Sequence, residues 1–223
     1  MLTILLIRHG HVAGIHPPRF RGRADLPLTD HGIEQADKVA RRVAAMWKPA
    51  IVYTSPLQRS VETGTAIARA CQTPSQIIPD LADLDYGEWQ GKTREEAAAA
   101  DASLLAAWLA SPERVLFPAG ESLQDVAART VRATRLLQAY HPTGTIVVVS
   151  HDSVNRVMLS QWLDAPLSRY WRLVQDPCCI NEIEIDSDCI RVRSMNDTAH
   201  LVTGCSVTHQ PQDHGQHHVA DRE

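Results

Sequence analysis

Leu2-Thr3-Ile4-Leu5-Leu6-Ile7-Arg8-His9-Gly10 decides how the rest of this sequence is read. Leu2 to Ile7 is aliphatic or β-branched with no polar alternation, the pattern of a strand covered on both faces and hence of an interior, parallel one. Ala50 to Thr54 and Thr145 to Ser150 have the same character. Helical patterns lie between them. Ile33 to Met46 follows Thr29 or Asp30 as N-cap, and Leu57 to Ala70 follows Ser55 with Pro56 at the first helical position. Ser122 and Asp125 resemble a capping box before a helix that runs to Tyr140 and is stopped by His141, Pro142 and Gly144. His151 to Leu163 reads as another helix, and Cys179 to Ile185 and Cys189 to Ser194 as late strands around a turn at Asp186 to Asp188. This order predicts an α/β fold, a three-layer sandwich with a mainly parallel central sheet flanked by helices.

Composition agrees with one such domain. The chain has 223 residues, 44% apolar, with 22 Lys plus Arg against 26 Asp plus Glu and a net charge of −4. At this length roughly 70% of the unfolded surface can be buried without disulfides or a structural metal. The balance offers no basic field for nucleic acid or an anionic membrane, and no stretch reaches the ~18 apolar residues of a spanning helix. The N-terminal run lacks a charged leader and a small-residue cleavage site, so the cytoplasm is the expected location. Cys71, Cys178, Cys179, Cys189 and Cys205 form neither a zinc pattern nor a disulfide framework and are expected as reduced thiols. Residues 1–203 are expected as the single domain, and 204–223, rich in histidine, as a disordered tail. A homodimer stays open.

In such folds ligands bind beyond the carboxyl ends of the strands, near a topological switch point. The residues there are Arg8, His9 and Gly10, then Ser55 to Arg59, then His151 and Asp152. No Gly-x-Gly-x-x-Gly or Walker loop follows these strands, so the common nucleotide-binding folds are not supported. Arginines are permanently charged donors suited to phosphate oxygens. A histidine among them has its charged form disfavoured, which leaves a ring nitrogen free to act as nucleophile or base.

At these residues the sequence resembles the histidine phosphatase superfamily in its phosphoglycerate-mutase-like branch. The likeness begins with Leu6-Ile7-Arg8-His9-Gly10 and continues through Phe20 to Thr29, Ser55 to Thr63 and Leu81 to Gly91, then Gly120-Glu121-Ser122 and Val149-Ser150-His151. The resemblance implies a phosphoglycerate-mutase-like fold and a nucleophile at His9 that becomes a phosphohistidine. It implies that Arg8, Arg59 and His151 hold the phosphoryl oxygens. Two guanidinium groups and a protonated second imidazole can stabilise the equatorial charge of phosphoryl transfer, so neither a metal nor another cofactor is called for.

Three positions depart from the family pattern. The proton donor is usually a glutamate where this chain has Asp83, whose shorter arm sets the carboxyl back by about one carbon–carbon bond, roughly 1.5 Å. Asp152 stands where small residues are common and resembles the His-Asp pair of the acid-phosphatase branch; it is the rival acid, or else the N-cap of the following helix. Ile15 replaces an asparagine that contacts the phosphoryl group, a contact that His11, His16, Arg19 or Arg21 would have to supply. Arg21 and Gly22, with Asp152, are the expected substrate-side residues, and Glu121 is expected as support.

An alanine-rich segment from Thr93 to Ala119, with Leu104, Leu105, Trp108 and Leu109 on one face, is expected to pack on the sheet or to roof the site. It is shorter than the insertion usual in the mutases and lacks its extra basic residues. The expected function is therefore a metal-independent phosphomonoesterase acting on a small phosphorylated metabolite. A mutase using the same phosphohistidine is the alternative, and a non-catalytic phospholigand-binding module comes third.

Overall fold

Strand β1 (Leu2–Arg8) is buried along almost its whole length, with Ile4, Leu5, Leu6 and Ile7 fully inaccessible. In the computed structural model, which describes residues 1–15, 17–186 and 189–202, the alternation of its side chains divides the core in two. Leu5 and Ile7 face Val39, Ala40 and Val43 of helix α1 (Asp30–Met46) and Ile67 and Ala68 of α2 (Gln58–Cys71). Leu2, Ile4 and Leu6 face Leu123, Val126, Ala133 and Leu137 of α5 (Leu123–Tyr140) and Val154, Val157 and Met158 of α6 (Asp152–Trp162). Each buried Leu or Ile contributes roughly 1.5–3 kcal/mol, so the unbroken apolar run is what a strand between two helical layers requires.

The sheet also contains β2 (Val52–Thr54), β3 (Ser75–Ile77), β4 (Gly144–Ser150), β5 (Ile180–Asp186) and β6 (Cys189–Asp197). Its order is β3-β2-β4-β1-β5-β6, with the first four strands parallel and β5 and β6 antiparallel. The expected mainly parallel sheet with helices on both faces is therefore found. Neighbouring β1 and β4 are in register from Leu2 opposite Gly144 to Arg8 opposite Ser150. The chain leaves β1 toward the α1 face and leaves β4 toward the α6 face, so a crevice opens where the two strands end. His9 N–H donates to the Ser150 carbonyl across it at 3.0 Å.

Several local expectations change. Helix α2 begins at Gln58 with no side-chain cap on its own turn, because Ser55 Oγ, which accepts from Leu57 N–H, also meets His151. The alanine-rich segment is two helices, α3 (Arg94–Ala100) and α4 (Ala102–Ala110). Asp101 ends the first, and its carboxylate caps Leu104 N–H of the second at 2.9 Å. Trp108 is buried against Phe117, Tyr86, Tyr170 and Trp171. Thr29 and the Ser122–Asp125 capping box appear as expected. Among the described residues no helix is long and apolar enough to cross a membrane, and Cys71, Cys178, Cys179 and Cys189 are free thiols. The expected histidine-rich tail, His16, Cys205 and the centre of the 186–188 turn lie outside the described residues.

Candidate active site

His9 leaves the end of β1 buried, only 1% exposed. Its Nδ1 lies 2.7 Å from the Gly10 carbonyl oxygen, which can only accept, so Nδ1 carries the ring proton. Nε2 is therefore the lone-pair nitrogen, and it accepts from Arg59 Nε–H at 3.2 Å. Burial first, then the Arg59 and Arg8 guanidinium groups, hold the imidazole well below its ordinary pKa. The ring is neutral near pH 7, with its acceptor nitrogen turned toward arginine. Gly10 N–H donates to Thr63 Oγ at 3.1 Å, which ties the turn after His9 to α2.

Arg59, fully buried on the first turn of α2, is fixed on every nitrogen. Nη1 donates to the Ala24 carbonyl at 2.7 Å, and Nη2 donates to the Gly22 carbonyl at 2.7 Å and to Asp83 Oδ2 at 3.0 Å. Gly22 thus meets the site through its carbonyl, and its positive φ of 48° is one that a side chain would strain. Arg8 Nη1 donates to the Gln175 carbonyl.

His151 is also fully buried, its ring centroid 5.1 Å from that of His9. Its Nε2 is held by Ser55 Oγ at 2.6 Å, and its Nδ1 lies 3.8 Å from Asp83 Oδ2. Burial, Arg59, His9 and Arg129 push its pKa well below the ordinary value, so the second imidazole, expected to be protonated, is held neutral by loss of water and by the neighbouring cations. Asp83 is buried, accepts from Leu84 N–H at 2.9 Å, and has its pKa raised because loss of water outweighs Arg59 and Arg21. Burial acts on Asp152 in the same direction, yet Arg156, Arg8 and Arg21 outweigh it and its pKa is lowered. Asp152 Oδ1 accepts from Arg156 Nε–H at 2.8 Å, and Arg156 stacks on Tyr170 and Trp171. The N-cap position of α6 is His151, so Asp152 serves an ion pair and not a cap.

Three buried polar atoms around His9 have no hydrogen-bond partner among the described residues: Arg8 Nε, Arg21 Nε and His151 Nδ1. Such groups cost roughly 1–3 kcal/mol each when left unsatisfied. Of the three arginines in the Arg19–Arg23 stretch, Arg21 is half-buried with its charge acting on Arg8, Asp83 and Asp152, and its Nη1 donates to the Gly14 carbonyl at 2.6 Å. Arg19 turns to the Gly91 carbonyl and Glu96, and Arg23 turns to Glu121 and Asp85. Ile15 packs against the small apolar cluster of Val12, Leu28 and Ala36.

A family model for the histidine phosphatase superfamily, branch 1, matches residues 4–198. The chain belongs to this superfamily. It is 33% identical over 199 residues to a bifunctional protein of Mycobacterium tuberculosis, covering 89% of this chain and 54% of that protein, so it spans about half that relative's length. It is 27% identical over 198 residues to the adenosylcobalamin/alpha-ribazole phosphatase of Escherichia coli, covering 89% of this chain and 97% of the relative. Among solved structures, YhfR of Bacillus stearothermophilus superposes with a TM-score of 0.86 at 26% identity, covering 91% of this chain and 100% of that one.

In this member of the superfamily the residues expected at the strand ends, Arg8, His9, Arg59 and His151, lie in one crevice, with Asp83, Arg21 and Asp152 beside them. Supporting residues escaped the sequence reading. Ser55 orients His151, Thr63 holds both Gly10 N–H and the Arg59 carbonyl, and Gln175 receives Arg8. For Thr63 a signal existed, since it follows Arg59 by one helical turn; for Gln175, far along the chain, none did.

Proposed function

We propose that this histidine phosphatase is a metal-independent phosphomonoesterase that hydrolyses a small phosphorylated metabolite through a phosphohistidine on His9. The observation that carries the reading is the lone pair of His9 Nε2 set among buried guanidinium and imidazole nitrogens that lack partners. These are donors placed for three phosphoryl oxygens. Arg8 and Arg59, with Arg21 in the place left by Ile15, neutralise the incoming phosphate.

His9 Nε2 forms the bond to phosphorus as the bond to the ester oxygen breaks, and that oxygen takes its proton from Asp83. A water then adds to the phosphorus, giving up a proton to the Asp83 carboxylate, and the phosphorus–nitrogen bond breaks to restore the neutral imidazole. His151 stabilises the phosphoryl oxygens from the opposite side. The raised pKa of Asp83 suits a donor, whereas the lowered pKa of Asp152 and its pairing with Arg156 suit a carboxylate that stays charged beside the leaving group. Named relatives that are phosphatases support hydrolysis over transfer.

The test is phosphate release from a panel of small phosphomonoesters in excess chelator, with an acid-labile phosphoryl group trapped on the wild-type protein and not on His9→Ala. Release that stops in chelator, or an unchanged rate for the alanine variant, would sink the proposal. Isomerised phosphoester formed faster than free phosphate would mark the mutase instead. Phosphate bound without any turnover would mark a binding module.

A further inference from the structure

Asp83 has a short arm, so where its carboxyl lies is decided by where its backbone lies. That backbone belongs to no strand or α-helix: a short 3-10 turn, Pro79–Leu81, is followed by irregular chain to Tyr86. What fixes this segment comes from behind it. Arg129, on α5 and 6% exposed, donates from Nη1 to the Asp80 carbonyl at 2.7 Å and from Nη2 to the Asp83 carbonyl at 3.1 Å. The same guanidinium forms a two-point ion pair with Glu121, Nε to Oε1 at 3.1 Å and Nη2 to Oε2 at 3.1 Å. Glu121 Oε2 in turn accepts from Asp85 N–H at 3.1 Å, and its Oε1 accepts from Arg23 Nη2 at 3.0 Å. Arg23 Nε reaches back to the Asp83 carbonyl at 3.5 Å.

A single ion pair between buried Arg129 and half-buried Glu121 therefore holds three backbone groups of one segment, those of residues 80, 83 and 85, on either side of the carboxyl. The geometry is specific to arginine. The planar fork makes four hydrogen bonds at once, to two carbonyls and both oxygens of a carboxylate, whereas an ammonium has three donors on a single nitrogen and cannot span them. An ordinary core position would have been filled by an apolar side chain, since a buried ion pair is seldom the most stable choice.

We infer that Arg129 and Glu121 are positioning residues for the proton donor: they set the reach of Asp83 toward the leaving oxygen without touching substrate. The inference rests on the phosphatase reading above and adds to it. It assigns to Glu121, expected only as support, a definite object, and to Arg129 a role that its position in the middle of a helix did not suggest. Because the pair acts through the donor and not through the phosphoryl pocket, its loss slows formation of the phosphohistidine only where the leaving group needs a proton.

The experiment compares wild type, Arg129→Lys and Glu121→Gln on two substrates, an alkyl phosphate and an activated aryl phosphate whose phenolate leaves unprotonated. Both variants are first checked for native circular dichroism. On the alkyl phosphate kcat/KM should fall by ~10-fold or more with KM within about twofold, and on the aryl phosphate kcat/KM, which reports formation of the phosphohistidine and not its hydrolysis, should stay within about twofold, because donor catalysis carries ~10²–10⁴ in that step on the first only. The alkaline limb of the kcat/KM profile on the alkyl substrate should also shift relative to wild type. Equal losses on both substrates, or no loss on either, would overturn the inference. Should Arg129→Lys fail to fold, Glu121→Gln, which keeps an acceptor at the same place, decides by the same comparison. If wild type itself turns over neither substrate, the phosphatase reading fails, an outcome distinct from failure of the positioning role.

Discussion

Arg59 Nε and His9 Nε2 are hydrogen-bonded at 3.2 Å, so the guanidinium lies on the lone pair that the chemistry needs. This contact fixes the ring against rotation and aims Nε2 into the crevice, and an arriving phosphoryl oxygen can take over the Nε–H donor. Arg59 also binds the Gly22 and Ala24 carbonyls and Asp83, four elements of the site through one fully buried side chain. Arg59→Lys cannot make these bonds together. We expect kcat on an aryl phosphate to fall by about 10²–10³, the usual loss for one donor at a developing charge. A lysine variant with near wild-type kcat would show that the fork is not needed.

Asp83 and Asp152 are separated by their environments: burial raises the first, and the charge of Arg156, Arg8 and Arg21 lowers the second. Asp83→Asn should lose about 10²–10⁴ in kcat/KM on an alkyl phosphate and little in kcat/KM on an activated aryl one, since kcat/KM reports formation of the phosphohistidine and not the later attack of water. The sign of the pH effect follows. A donor must be protonated, so kcat/KM on the alkyl substrate falls as pH rises through the raised pKa of Asp83, and that limb disappears in Asp83→Asn. Asp152→Asn should keep the limb and instead weaken binding of substrates that pair with a carboxylate. A limb lost in Asp152→Asn and kept in Asp83→Asn would exchange the two roles.

The fold was legible where burial is two-sided. β1 and β4 read directly because helices cover both of their faces, so no polar residue interrupts Ile4 to Ile7 or Ile146 to Val149. β3 was not legible: Ser75, Gln76 and Ile77 form an exposed edge and carry no apolar signal. Asp101 divides the alanine-rich segment by capping, a role that residue type alone does not distinguish from a solvated helical position. In the site, the strand-end residues were found because the rule for parallel sheets says where to look. The Glu121–Arg129 pair was not, because a helical arginine normally reads as surface and its partners at residues 80 and 83 are brought to it only by the tertiary fold.

Gly22 has φ +48°, and a Cβ there would lie 3.0 Å from the Leu84 carbonyl oxygen and 3.0 Å from the Tyr86 ring. Its own carbonyl must also stay aimed at Arg59. Gly22→Ala should therefore destabilise the protein by roughly 1–3 kcal/mol, from the left-handed backbone and the close contacts together. Activity at a temperature where the variant is folded should drop as well, since the shifted carbonyl releases Arg59. Urea denaturation and kcat on an aryl phosphate measure the two effects. Unchanged stability would mean that the loop relaxes around a side chain.

His9 and His151 are both buried and neutral, with folded pKa values pushed well below the ordinary value. In the unfolded chain each returns to about 6.5. Between the folded and unfolded values the unfolded state binds more protons, so stability rises with pH there. The contribution is complete above about pH 6.5 and declines as pH falls below it, by up to about 1.4 kcal/mol per pH unit for each group. Asp83 acts in the opposite sense, one group against the two histidines: its folded pKa is raised from that of an ordinary aspartate, so its stabilisation is present below the unfolded value and is lost as pH rises through the folded one. Urea melts between pH 7.5 and 5.5 should therefore show the protein weakening with acid, and His9→Asn should weaken with a shallower slope because one of the two proton-linked groups is gone. Identical slopes for the two proteins would mean that His9 binds protons alike in the folded and unfolded chain, so that the crevice does not hold its ring neutral, and a steeper slope for His9→Asn would mean a ring already protonated when folded, with no lone pair on Nε2 to attack phosphorus.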